Sequence, residues 1–278
     1  MTLLKITIQN WSDKFTESAF ALLKQYKETS LYLSTHLFSG DVKCLVCGDK
    51  VVGIFVLNSA GKLLLQTDRK MDYSNLIIDA LLPEISRFTG LIGDWELTSQ
   101  FWNALKLRFS TFQEKICKKN ILYKHDLENL NDLTNNNRVR FLNAHDYVVW
   151  DKLNLAFREE INSIFSYNNL QRQERYLQEV SNNQWWGLFL DQQLVAICAY
   201  TARYEDYAQI GCVYTLPEVR GRGFAKQLIY QLMLDSKNKH NVDKLILFTH
   251  DDNITAQKVY ESLGFKPIGY FGLIVGAL

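Results

Sequence analysis

The sequence lacks an excess of charge of either sign, long apolar runs and paired cysteines, and each lack excludes a class. Lys and Arg number 31 against 30 Asp and Glu, a net charge of +1. So balanced a chain has no electrostatic reason to bind nucleic acid or an anionic membrane, and neither is expected as a partner. No apolar run approaches the roughly 18 to 20 residues of a membrane span, and the start "MTLLKITIQNW" lacks the long apolar core of a signal peptide, so the cytoplasm is the expected location. Five cysteines, an odd and scattered set, make no disulfide framework. Cys44 and Cys47 form a CxxC, but no second CxxC and no nearby His pair completes a tetrahedral metal site. They are read as strand cysteines, and no metal is expected.

What is present describes an ordinary globular chain, 47% hydrophobic over 278 residues, enough for two domains of ordinary size. The polar, asparagine-rich stretch "DLENLNDLTNNNR" is the best linker and cuts the chain into 1–126, a linker at 127–137, and 138–278. The C-terminal half reads as a short strand, helices interrupted near "SYNN", a hairpin turning at Asp191–Gln192–Gln193, a strand stopped by Pro217, and an amphipathic helix from Phe224. An apolar strand "KLILFTH", a helix ended by Gly264 and closing strands in "KPIGYFGLIV" complete it. The N-terminal half shows a similar succession, a meander followed by helix, strand, helix and strand, which suggests an internal duplication. The fold class is α+β with a mixed sheet, as two domains in tandem.

Chemistry concentrates at "VRGRGFAK", residues 219 to 226. A helix N-terminus leaves its first amides unpaired and carries about half a positive charge, so phosphates bind there. Gly221 and Gly223 admit backbone dihedrals closed to other residues and a close ligand, while Arg220, Arg222 and Lys226 supply charge. The Ser or Thr of a P-loop is missing, and Lys226 stands where a dinucleotide fingerprint needs its third glycine. The corresponding N-terminal stretch, "TDRKMDYSN", has no glycine at all.

Arg220, Gly223 and Ala225, with Pro217 upstream, resemble the coenzyme A signature of the GNAT superfamily of N-acyltransferases. Asn253, Ala256, Tyr260, Gly264 and Phe265 resemble a second feature of that family downstream. The resemblance extends over most of 138–278, and "GLIGDWELTSQFWNAL" in the first half is similar to a subgroup in which a degenerate GNAT-like domain precedes the catalytic one.

That resemblance implies acetyl-CoA as cosubstrate and an amine as acceptor, joined by direct attack in a ternary complex without metal or covalent intermediate. Amides from Gly221 through Arg222, Gly223, Phe224 and Ala225 to Lys226 would hold the pyrophosphate, and the main chain of Val213, Tyr214 and Thr215 would pair with the pantetheine arm. Asn253 would contact the cofactor, and Tyr260 would meet the departing thiolate. A phenol near pKa 10 facing a thiol near 8.5 gives up its proton uphill by about 2 kcal/mol, so Tyr260 acts through a hydrogen bond that strengthens as charge develops on sulfur. Glu160, on the helix that borders the acceptor cleft, ranks first as base, ahead of Glu159, Glu205, Asp206, His250 and Asp251. His36, His125, His145 and His240 stand alone and are read as surface or structural residues. The N-terminal half is expected to bind no coenzyme A. A rival reading is an acyl-CoA sensor or scaffold without turnover; a third is an enzyme for a longer acyl chain, with a roomier pocket near Cys212 and His250.

Overall fold

The computed structural model describes residues 5–38, 41–130, 137–163 and 167–277. Most of the expected linker, 131–136, lies outside the described residues. The chain forms two compact units, one of residues 1–122, 248–253 and 267–278, the other of 123–247 and 254–266.

In the first unit β1 (Ile6–Asn10), β2 (Lys43–Cys47), β3 (Lys50–Leu57) and β4 (Lys62–Thr67) form an antiparallel meander. Parallel to β4 runs β5 (Gly90–Asp94), and antiparallel to β5 runs β12 (Lys266–Ala277), with Phe271 opposite Asp94 and Val275 opposite Gly90. Side chains alternate across a strand, so the meander feeds two cores. One contains Leu22 and Leu23 of α1 (Thr16–Gln25) and Leu33 of α2 (Lys27–Ser34), packed with Cys44 and Ile54. The other contains Ile77 and Ile78 of α3 (Ser74–Leu81) and Phe101 and Trp102 of α4 (Trp95–Arg108), packed with Leu45 and Phe55. Cys44 lies in the first core and Cys47 packs on the second, so the CxxC points to opposite faces and cannot chelate one ion. The helical stripe expected over "YSNLIIDALLPEISRF" stops as an α-helix at Leu81, and Leu82–Arg87, carrying Pro83, tightens to a 3-10 turn.

Lys62, only 2% exposed, donates from Nζ to Thr89 O at 2.7 Å. Burial lowers its pKa from 10.5 to about 8. Below pH 8 the folded chain carries a buried ammonium. Between pH 8 and about 10.5 it has shed a proton that the unfolded chain still holds, so stability rises with pH across that window by up to about 3 kcal/mol. Lys62→Met should remove that rise and stabilise the protein at pH 7, because Thr89 O keeps a donor in Gly276 N at 3.2 Å. Urea unfolding at pH 7 and pH 10 tests it, and an unchanged slope in the variant would refute it.

The second unit has strand order β11-β10-β9-β8-β7, with β7 (Val139–Phe141), β8 (Trp185–Leu190), β9 (Gln193–Tyr204), β10 (Tyr207–Thr215) and β11 (Lys244–His250). The first four strands along the chain are antiparallel neighbours, and β10 with β11 is a parallel pair. The β8–β9 turn uses two left-handed residues, Asp191 (φ 46°) and Gln192 (φ 68°), a geometry that suits the twist of a hairpin. Side chains of α5 (Tyr147–Glu160) and α6 (Asn169–Ser181), Trp150, Leu153 and Tyr176, pack with Trp185, Ile197 and Tyr214. Helix α7 (Phe224–His240) packs against β8, β9 and β10, and α8 (Ile254–Ser262) follows β11.

The closing segment departs from the sequence expectation. "KPIGYFGLIV" lies in one strand, β12, and residues 267–278 belong to the first unit rather than with 138–266. An apolar strand pattern says which face is buried but not which strand will be its neighbour.

Candidate functional site

Gly221 and Gly223 both adopt φ 77°, and a Cβ at either would meet nothing within 4 Å. Their requirement is therefore conformational, and the space above them is open. Helix α7 has no side-chain cap; its first bond runs from Gln227 N to Gly223 O at 3.1 Å, so the amides of Phe224, Ala225 and Lys226 precede the helical ladder. Phe224 is buried and anchors the helix start, while Arg222 and Lys226 are exposed. The turn is anchored by Phe224, carries two exposed cationic side chains and leaves three amides ahead of the helical ladder.

Arg220 behaves differently. Its Nε donates to Thr215 O at 2.9 Å, its Nη2 to Glu160 Oε2 at 2.5 Å, and its guanidinium lies 5.4 Å from the Tyr214 ring centre. It ties the turn to the end of β10 and to the last residue of α5. Glu160, the carboxylate ranked first as base, is thus the partner of Arg220, and the oxygen that would take a proton already accepts a guanidinium N–H.

Strand β10 supplies the second element. Its parallel pairing with β11 covers Tyr207–Gln209 against Lys244–Ile246, and its register against β9 shifts between Gly211 and Tyr214. Cys212 sits in that bulge at φ 52°, strained for a side chain with a Cβ. Tyr214 points into the α5 core beside Phe157, ring centres 6.2 Å apart, so only its main chain faces along the strand edge. The Thr215 carbonyl is held by Arg220. Burial pushes the Cys212 thiol up to about 11, which leaves almost no thiolate at neutral pH.

Tyr260 of α8 is 7% exposed and packs against Tyr123 and Phe265 at 6.1 and 6.2 Å. Burial, then the neighbouring Cys198 and Tyr123, raises its pKa well above the usual tyrosine range, so the phenol keeps its proton. Cys198 belongs to β9, between the residues that face Gly211 and Tyr214, which puts Tyr260 near the strand opposite the bulge. The C-cap of that helix, Gly264, has φ 91°, as its place after an apolar helix suggests. Asn253 is exposed at the turn before α8 and groups with the first unit, as do His250 and its neighbours. His250 Nδ1 lies 2.5 Å from Asp252 Oδ1 and 3.3 Å from Asp251 Oδ1.

The matching turn of the first unit is closed by its own acids. Asp68 Oδ1 accepts Lys70 N at 3.1 Å and Tyr73 Oη at 2.9 Å, and Asp72 Oδ1 accepts Ser74 N at 2.8 Å. A cavity of about 440 Å³ in this unit is lined by, among others, Tyr26, Arg69, Asp94, Trp95, Lys119 and Tyr270. Arg69 is held on Asp94 at 2.7 Å, and Lys119 stands 3.9 Å from the Tyr270 ring centre.

Sequence reasoning passed over three residues of the second unit. Arg158 of α5 and Arg175 of α6 place their guanidiniums 5.4 and 5.8 Å from the ring centre of Tyr167. The available signals were weak: Arg158 adjoins Glu159 in "AFREEINSIF", and Arg175 precedes Glu179 by one helical turn.

Comparison with known proteins agrees with this geometry. The acetyltransferase (GNAT) family model matches residues 154–265. The N-acetylaspartate synthetases of Rattus norvegicus and Homo sapiens are each 32% identical over 97 residues, covering 34% of this chain. That match spans 32% of the length of these curated relatives. Among solved structures, an acetyltransferase from the GNAT family of Colwellia psychrerythraea aligns over 98% of this chain and 100% of its own at 15% identity, with a TM-score of 0.55. A tandem GNAT protein from the clavulanic acid biosynthesis pathway aligns over 98% of both chains at 16% identity, with a TM-score of 0.56. Those identities speak for fold alone, and both alignments run through the two units. The uncapped turn, the bulge of β10 and Tyr260 all fall inside residues 154–265, the stretch that the acetyltransferase (GNAT) family model matches.

Proposed function

We propose that the chain is an N-acetyltransferase that moves an acetyl group from acetyl-CoA to the amine of a small acceptor in a ternary complex. The observation that carries this is the start of α7, where two left-handed glycines present uncapped amides to open space. In this reading the amides of Gly221 to Lys226 receive the pyrophosphate, with Arg222 and Lys226 neutralising it. The main chain of Val213 and Thr215 runs beside the pantetheine arm as far as the bulge. Arg220, committed to Thr215 and Glu160, braces the turn.

The acceptor nitrogen attacks the thioester carbonyl, the C–N bond forms, the C–S bond breaks with its electron pair leaving on sulfur, and the proton that the nitrogen must shed passes to water. The protonated Tyr260 phenol donates a hydrogen bond that strengthens as the thiolate develops. Direct attack fits the high thiol pKa at Cys212, which makes an acyl-cysteine intermediate slow to form. With Glu160 held by Arg220, the acceptor reacts through the neutral fraction of its amine, at a cost of about 4 kcal/mol for an amine of pKa near 10 at pH 7. The relatives named N-acetylaspartate synthetase support N-acetylation of a small amine.

Tyr260→Phe tests the assignment. Release of coenzyme A from acetyl-CoA, measured with a panel of amines, should fall about 100-fold in kcat, with acetyl-CoA affinity by titration calorimetry unchanged. A variant as fast as wild type would remove Tyr260 from the chemistry. Binding of acetyl-CoA without turnover of any amine in wild type would favour the sensor reading.

A further inference from the structure

We infer that Tyr123 is a positioning residue for Tyr260, holding its phenol where the thiolate is proposed to leave. This rests on the acetyltransferase reading and adds to that site a residue from outside the stretch that the family model matches. The Tyr260 hydroxyl hydrogen-bonds no group among the described residues. Its position is therefore set by what grips the ring and the helix beneath it. Tyr123 supplies both grips. It stands near the end of β6 (Gln113–Asp126), and from residue 123 on that strand belongs to the second unit, as α8 does. Its ring lies 6.1 Å from that of Tyr260 at 57°, and its hydroxyl donates to Glu261 Oε1 at 3.0 Å. Consecutive residues of a helix project about 100° apart, so one side chain holds the last turn of α8 at two points around its axis. Contact at one point would let the turn roll; contact at two fixes its rotation.

The same face of β6 sets the end of that helix. His125, two residues on, packs its ring 5.2 Å from Phe265, and a Cβ added to Gly264 would stand 3.1 Å from His125 Nε2. Phe265 N in turn donates to Tyr260 O at 3.1 Å, and the two rings lie 6.2 Å apart. Phe265 is thus a local wall, brought by the cap of the helix itself. Tyr123 is a distant one, 138 residues before the carboxylate that it binds, and it carries the polar tie. Burial and then Glu261 push the Tyr123 phenol up to about 12, which keeps the hydroxyl a donor at neutral pH. A positioning residue can cost no more than the group it positions contributes, so the loss is bounded by the roughly 100-fold assigned to Tyr260.

The experiment measures coenzyme A release with the amine panel, and acetyl-CoA affinity by calorimetry, in wild type, Tyr123→Phe, Tyr260→Phe, the double variant, Glu261→Ala and Glu261→Gln. Tyr123→Phe keeps the ring and removes only the hydroxyl, and kcat should fall about 10-fold. Affinity for acetyl-CoA should not move, which also reports that the variants are folded. Glu261→Ala should show the same loss, and Glu261→Gln, which keeps an acceptor for the hydroxyl, should recover most of the rate. In the Tyr260→Phe background Tyr123→Phe should cost less than about 2-fold, a non-additivity that a purely structural role would not produce. Tyr123→Phe at the wild-type rate, or the same loss in both backgrounds, overturns the inference and leaves the acetyltransferase reading standing. Tyr260→Phe at the wild-type rate overturns it as well, because nothing is then left to position. A wild-type protein that turns over no amine takes down the reading itself, and the inference with it.

Discussion

Gly223→Glu should abolish measurable binding of acetyl-CoA and coenzyme A, a loss of at least about 100-fold, or about 2.7 kcal/mol. The position is free of neighbours within 4 Å, so the new side chain meets no steric obstacle. The left-handed backbone at φ 77° costs a residue with a Cβ about 1 to 2 kcal/mol, within the margin of a folded domain. What changes is electrostatic: a carboxylate enters the space proposed for two phosphates and can itself accept the first amides of α7. Gly223→Ala separates the two effects, because it carries the same backbone strain without the charge and should bind, though more weakly. Titration calorimetry of wild type and both variants is the measurement. Binding by Gly223→Glu at wild-type affinity would mean that the phosphates lie elsewhere.

The largest effect on stability is expected from Trp186→Ala, about 4 kcal/mol. Trp186 is fully buried, edge-on to Tyr200 at 4.8 Å, and its indole N–H donates to Asp235 Oδ2 at 2.8 Å. Asp235, itself 4% exposed, depends on that donor together with Gln231 at 3.2 Å and Lys239 at 2.8 Å. Truncation opens a cavity and strips a hydrogen bond from a buried carboxylate at once. Trp186→Phe keeps most of the ring and should lose about half as much, mainly the hydrogen bond. Chemical denaturation followed by circular dichroism gives both values, and a loss under about 1.5 kcal/mol in the alanine variant would mean the site collapses to refill itself.

The parts of this molecule that the sequence made legible are those encoded within a few residues. The turn of Gly221 and Gly223, the helix that begins at Phe224, the left-handed cap at Gly264 and the hairpin expected at Asp191–Gln192–Gln193 all follow from local backbone chemistry, and the structure has them, with Gln193 already in the strand. Partnerships across the chain were not legible. Nothing near Glu160 announces that a guanidinium 60 residues later will hold it, nor does "KPIGYFGLIV" say that β5 will be its neighbour. The guanidiniums of Arg158 and Arg175 both come near the Tyr167 ring because α5 and α6 pack together, and neither helix reveals that alone. The CxxC is instructive in the other direction: once Cys44 and Cys47 are in a strand, their spacing of three sends them to opposite faces.

The turn before α3 in the first unit has a consequence for any attempt to give that unit a phosphate site. Asp68 and Asp72 occupy the amides of Lys70 and Ser74 two residues away. A tethered anion at that distance acts at a local concentration far above the millimolar range in which cellular phosphates compete, so the turn is in effect permanently occupied by its own inhibitor. Grafting glycines there would therefore not be enough. Both aspartates would have to go first.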